Sequence, residues 1–169
     1  AGRGRRRHGG VALTPELRAE IIRIARDRAA AGVWYVWGGN TWEGADCSGF
    51  VQRVLHEAGV HPWASKFPFR HDDNCAAMWK TWEETDTPEA GDVALYGKPR
   101  APSHVVLVTA VRDGVVTEVV GMSRGDSDCT SVAIAKTKGA KAVVHTGDNA
   151  HRYRPGFVGF RRPVVGSGA

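Results

Sequence analysis

The sequence predicts an α+β domain, with N-terminal helices packed on a central antiparallel β-sheet. Three observations carry this. Apolar residues recur at helical spacing through the first half of the chain. After Pro88 the texture changes to short β-branched runs that follow one another directly. Between two of these runs stands Asp113-Gly114, a strong hairpin signal. Helices first and consecutive strands afterwards argue against alternating βαβ units.

Taken in order, Thr14-Pro15-Glu16 is a helix start: a capping Thr, Pro at the first helical position, and an acid at the positive helix end. Leu17, Ile21, Ile24 and Arg28 follow at helical spacing, so a helix is predicted over 15–31, ending at Gly32. Val33 to Trp37 reads as a strand, broken by Gly38-Gly39-Asn40. Helical spacing returns from Cys47 through Phe50, Val51, Val54, Leu55 and Ala58, with Gly59 as the stop. A third helix is predicted over 72–82, capped by Asp72 or Asp73. Strands are predicted over 92–96, 104–111, 115–120, 131–135, 142–145 and 156–160.

The chain has 169 residues, 42% hydrophobic and 24% charged, which fits one globular domain and excludes intrinsic disorder. No run approaches the roughly 20 apolar residues of a membrane helix. The net charge of +5 is local. Arg3, Arg5, Arg6 and Arg7 lie in the first ten residues, which contain no acid. Residues 1–13 therefore read as a flexible basic arm or linker, 14–165 as the domain, and 166–169 as a tail. The first residue is Ala, as in a chain processed or excised from a larger polypeptide. No secretory h-region is legible. An arm of this kind is either a plain linker or a contact to a polyanion.

The chemistry concentrates at residues 35–51. A glycine-rich loop leads straight into Cys47 at the first turn of a predicted helix. The positive helix end favours the thiolate, which is the nucleophilic form. Ser48 and Gly49 leave room for a carbonyl, and the amides of a helix start can stabilise an oxyanion. Among seven His, His104 opens a strand after the loop 98–103, a rigid place for a base. Glu118 lies on the next strand, where hairpin geometry makes it the candidate to hold the second ring nitrogen of His104. Its competing reading is a surface-facing Glu of an edge strand. Trp34, Trp37 and Trp42 surround the Cys loop and are candidates to line a substrate groove. Trp79 and Trp82 read as packing residues, and Trp63, Phe67 and Phe69 form an aromatic insertion-like segment at 61–71. Cys75, Cys129, His71 and His145 lack zinc-like spacing, so no metal is expected. Two free thiols are favoured over a Cys75–Cys129 disulfide, because their separation in sequence fixes no geometry.

Tyr35-x-Trp37-Gly38-Gly39, Asp46-Cys47-Ser48-Gly49-Phe50, Gly91-Asp92 before an apolar strand and Ser103-His104 before another occur together in this order. The combination resembles the NlpC/P60 family of cell-wall cysteine peptidases over about residues 15–163. The resemblance implies a papain-like core, with Cys47 as nucleophile, His104 as base, and a third polar residue on the following strand, matched here by Glu118 in place of the more usual His. It places Tyr35 near the nucleophile and the oxyanion, and Asp46 and Ser48 at the free amino end of a stem peptide. The implied activity is hydrolysis of an amide in peptidoglycan, usually between γ-D-Glu and a diamino acid, without cofactor or metal. The implied partners are the stem peptide, an anionic wall polymer through the Arg-rich arm, and a larger polypeptide or phage assembly. The implied location is extracellular, in the cell wall or a phage virion. An N-acetylmuramoyl-L-alanine amidase or acyltransferase on the same scaffold, and a non-catalytic wall-binding or phage tail module, are the alternative readings.

Overall fold

The computed structural model describes residues 12–60 and 74–163. The basic arm up to residue 11, the aromatic segment at 61–71 and the tail at 166–169 lie outside the described residues.

The first helix, α1, spans Pro15–Ala31. The Thr14 hydroxyl accepts from Leu17 N at 3.1 Å, and Gly32 ends the helix at φ 88°. Two short strands, β1 (Asn40–Thr41) and β2 (Gly44–Ala45), then form a small hairpin ahead of helix α2 (Cys47–Glu57). Helix α3 spans Cys75–Thr81. Its cap is Asn74, whose side-chain oxygen accepts from Ala76 N at 3.0 Å and Ala77 N at 3.3 Å. The predicted caps Asp72 and Asp73 lie outside the described residues.

A six-stranded sheet follows: β3 (Glu83–Thr85), β4 (Val93–Lys98), β5 (Ala101–Arg112), β6 (Val115–Ser123), β7 (Lys141–Thr146) and β8 (Phe157–Arg162). Its order is β3-β8-β4-β5-β6-β7, and every pairing is antiparallel. The β5–β6 turn has positive φ at both Asp113 (51°) and Gly114 (78°), the primed geometry that the Asp-Gly pair favours.

Two expectations change. Residues 131–135 are not a strand. They begin helix α4 (Val132–Lys138), capped by the Ser131 hydroxyl accepting from Ile134 N and closed by left-handed Gly139. The apolar alternation of a short segment lost to a good cap at each end. Val33 to Trp37 is extended but makes only single bridges, Trp34 to Lys141 and Tyr35 to Ala45. It laces the β7 edge to the glycine-rich loop, with Tyr35 N donating to Ala140 O at 2.9 Å.

Successive strand residues point to opposite faces. Val93, Leu95, Val105, Leu107, Val120 and Met122 join the helices in the main core. Ala94, Tyr96, Val106, Val108 and Val119 face a smaller cluster with Ala150, Tyr153, Phe157 and Phe160. A 3₁₀ turn, Ala150–Arg152, covers that side. Fully buried Asp92 ties the layers together. It accepts from Arg18 of α1 at 3.3 Å and from both Nε and Nη2 of Arg162 of β8, at 3.1 and 2.9 Å.

Candidate active site

Helix α2 begins on Cys47, and Asp46 caps it. One carboxylate oxygen of Asp46 accepts from Gly49 N at 2.7 Å and from the Ser48 hydroxyl at 3.2 Å. The other accepts from Gly38 N at 3.1 Å, which draws the glycine loop onto the helix start. Asp46 N in turn donates to Gly39 O at 3.0 Å. The loop lies so close that a Cβ at Gly49 would stand 2.0 Å from the Gly39 oxygen. Only glycine fits there, which accounts physically for the Gly in Asp-Cys-Ser-Gly.

Cys47 is 8% exposed. Its neighbours are the Cys75 sulfur at 4.0 Å and the Ser103 carbonyl at 3.8 Å. The His104 ring and the Val105 amide also act on the Cys47 sulfur electrostatically. Together they hold the Cys47 thiol well below its ordinary range. The largest cause is the hydrogen bond from Cys75; the His104 bond and charge add to it, and burial opposes them. Cys75 is pushed correspondingly upward by its bond to Cys47 and by burial. The two shifts run in opposite directions, which makes Cys47 the sulfur of the pair that ionises more readily. The helix start favours the same form.

His104 is nearly buried, and its Nε2 lies 2.7 Å from the Tyr153 hydroxyl. With Nε2 engaged, Nδ1 is the nitrogen available to Cys47. A thiolate beside an imidazole that holds or returns a proton is the equipment of nucleophilic acyl transfer.

The sequence profile of the NlpC/P60 family matches residues 32–148, more than half of the chain and including both Cys47 and His104. The chain belongs to the NlpC/P60 family. Solved NlpC/P60 structures share its fold. The NlpC/p60 domain of the peptidoglycan hydrolase SagA is 19% identical, with a TM-score of 0.54, covering 83% of this chain and 95% of that one. A Staphylococcus aureus protein similar to a lipoprotein of the NLP/P60 family is 20% identical, with a TM-score of 0.58, covering 94% of this chain and 45% of that one. NlpC1 from Trichomonas vaginalis is 12% identical, with a TM-score of 0.60, covering 93% and 48%. This chain thus spans less than half the length of the last two. Members of the family are typically cysteine peptidases, and the fold is of the peptidoglycan hydrolase type.

Within this NlpC/P60 domain the other expected site residues fall into two groups. Tyr35 lies in the electrostatic reach of Cys47 and is buried under Gly125, where a Cβ would stand 2.1 Å from the ring. Burial foremost, and then the Cys47 charge, push its hydroxyl upward. Asp46 and Ser48 adjoin Cys47 but bond to each other. Burial first, and then Cys47, raise the Asp46 carboxyl. Trp37 stands 46% exposed on the loop beside Gly38.

Glu118 lies elsewhere. Glu118 pairs with Ala110, six positions along β5 from His104, or roughly 20 Å at the usual strand rise. It accepts from Arg26 of α1 and from the Thr109 hydroxyl, each at 2.7 Å. The expectation that it holds His104 is corrected: it anchors α1 to the sheet. Hairpin adjacency was right, but the register put Glu118 near the turn rather than at the strand end. Trp42 packs edge-on to Phe50 at 5.8 Å under the Arg28 guanidinium at 4.6 Å. That contact packs it on α2.

Three neighbours escaped the sequence reading. Cys75 opens α3 after a capping Asn, a legible helix-start cysteine. Tyr153 and His145 stack at 4.1 Å with an interplanar angle of 15°, and no local pattern pairs them.

Proposed function

We propose that this NlpC/P60 domain is a cysteine endopeptidase that cleaves peptidoglycan stem peptides, at the bond between γ-D-Glu and a diamino acid. The observation that carries this reading is Cys47 at the start of α2, its thiol held below the ordinary range by Cys75 and by His104.

The Cys47 thiolate attacks the amide carbonyl. The amides at the start of α2 face the developing oxyanion. When the carbon–nitrogen bond breaks, His104 gives its proton to the leaving amine, and a thioester remains on Cys47. His104 then takes a proton from water as that water attacks the thioester. The sulfur–carbon bond breaks, releasing the carboxylate and restoring the pair. The working location under this reading is the cell wall.

Digestion of purified sacculi by the parent chain and by Cys47→Ala, with mass analysis of the fragments, tests the reading. Muropeptides cut after γ-D-Glu, appearing only with the parent chain, are the expected result. Activity retained in Cys47→Ala overturns the mechanism. Fragments cut at the muramoyl–L-alanine bond overturn the endopeptidase assignment.

A further inference from the structure

His104 is bonded at Nε2 by a residue that neither the sequence signatures nor the family resemblance assigns. The resemblance puts the third polar residue on the strand after the turn. The group actually bonded to Nε2 comes from the segment after the 3₁₀ turn, beyond β7: the Tyr153 hydroxyl at 2.7 Å. We propose that Tyr153 is the positioning residue for His104, fixing the ring and the tautomer that leave Nδ1 free to exchange a proton with Cys47. The proposal rests on the Cys47–His104 pairing described above.

The Tyr153 ring is packed on two sides. It stacks on His145 of β7 at 4.1 Å and meets Tyr96 of β4 edge-on at 5.7 Å. Tyr96 in turn donates its hydroxyl to the His151 carbonyl, which pins the 3₁₀ turn to the sheet. The hydroxyl therefore occupies one place, as a group that orients a base must. Nδ1 accepts the thiol proton only if Nε2 already carries a hydrogen, and that hydrogen then needs an acceptor. The Tyr153 oxygen supplies it. Burial pushes the phenol up to about 12, so it remains uncharged across the working range. A neutral acceptor orients the ring without adding a second anion beside the thiolate.

Several groups face His104 from the packed elements. They are Cys47 of α2, Cys75 of α3 through Cys47, Tyr96 of β4, His145 of β7, and Tyr153 with its neighbour Arg154. Of these, Tyr153 is the one bonded to Nε2.

The test uses the full chain and its Tyr153→Phe variant, which keeps the ring and its stacking and deletes the oxygen. The pH dependence of Cys47 alkylation by iodoacetamide is followed on the Cys47 peptide by mass spectrometry, so Cys75 and Cys129 do not contribute. Loss of the Nε2 acceptor weakens the imidazolium that accompanies the thiolate. The Cys47 titration should therefore move upward by about half a unit, the shift expected from one hydrogen bond of ordinary strength. On sacculi, kcat should fall about five- to tenfold with KM within about twofold, and the alkaline limb of the rate profile should move to lower pH. His104→Ala is the reference. If it shifts the Cys47 titration and Tyr153→Phe, folded as judged by circular dichroism, does not, the proposal is overturned. If His104→Ala leaves the titration unmoved, the Cys47–His104 pairing itself falls, and the proposal with it. Because alkylation needs no substrate, failure of the peptidoglycan reading registers separately, in the fragments.

Discussion

Replacing Asp46 by Ala separates two roles open to one carboxylate. In the structure Asp46 accepts from Gly49 N, Ser48 Oγ and Gly38 N, at 2.7, 3.2 and 3.1 Å. The family resemblance instead gives it a hand in binding the amino end of the substrate. Losing the cap costs about 1 kcal/mol. Leaving the Gly38 amide without its acceptor costs about 1–3 kcal/mol more. Against this, burial raises the carboxyl, so part of the loss returns when the buried charge disappears. A net cost of roughly 2–3 kcal/mol corresponds to a Tm lowered by about 4–12 °C for a chain of this size. The pH dependence follows from the direction of the shift. A carboxyl raised in the folded state contributes stability that is fully present below its unfolded pKa and is lost as pH rises through the folded value. The Tm gap between parent and Asp46→Ala should therefore be widest in acid and narrow toward neutrality. Differential scanning calorimetry across that range measures it. A Tm within about 1 °C of the parent at every pH, with activity lost through KM, would refute the capping argument and leave Asp46 as a substrate contact.

Cys75→Ala removes the donor that does most to stabilise the Cys47 thiolate. Alkylation of Cys47 should then begin at higher pH, and Cys75→Ser, which keeps a donor, should restore much of the difference. Equal titration curves for the parent chain and Cys75→Ala would show that the paired sulfurs do not share a proton in solution. Asp92→Ala leaves Arg18 and Arg162, whose side chains are 15% and 23% exposed, sharing the more exposed Glu89 carboxylate. Breaking a buried pair costs about 3–5 kcal/mol, and this partial exposure points to the lower end. Urea titration should record that loss, and an unmoved midpoint would contradict the clamp.

Much of the fold was legible because its signals are local. Thr14-Pro15 started α1 and Gly32 stopped it where expected, and Asp113-Gly114 made the hairpin. The strands at 93–98, 101–112, 115–123, 141–146 and 157–162 lie on predicted runs, extended by a few residues. The segment at 131–135 misled because a short apolar run fits either period, and the helix was decided by Ser131 and Gly139 at its ends. Strand β3, with three residues, is too short to carry a period at all.

The glycine-rich loop ahead of α2 shows the same division. Glycine spacing, a capping Asp and a cysteine at a helix start are features of neighbouring residues, and each was readable as chemistry before any fold was known. Local sequence was therefore enough to determine the class of fold, the nucleophile candidate Cys47 and the base candidate His104. Tertiary structure alone decided what surrounds them. Sheet register carried Glu118 away from His104, a separate helix brought Cys75 against Cys47, and the turn after β7 delivered Tyr153 to Nε2. Residues 47 and 75, or 104 and 153, meet only when layers pack and strands choose a register. Those choices are made by the summed burial of the core, and no short window of sequence contains that sum.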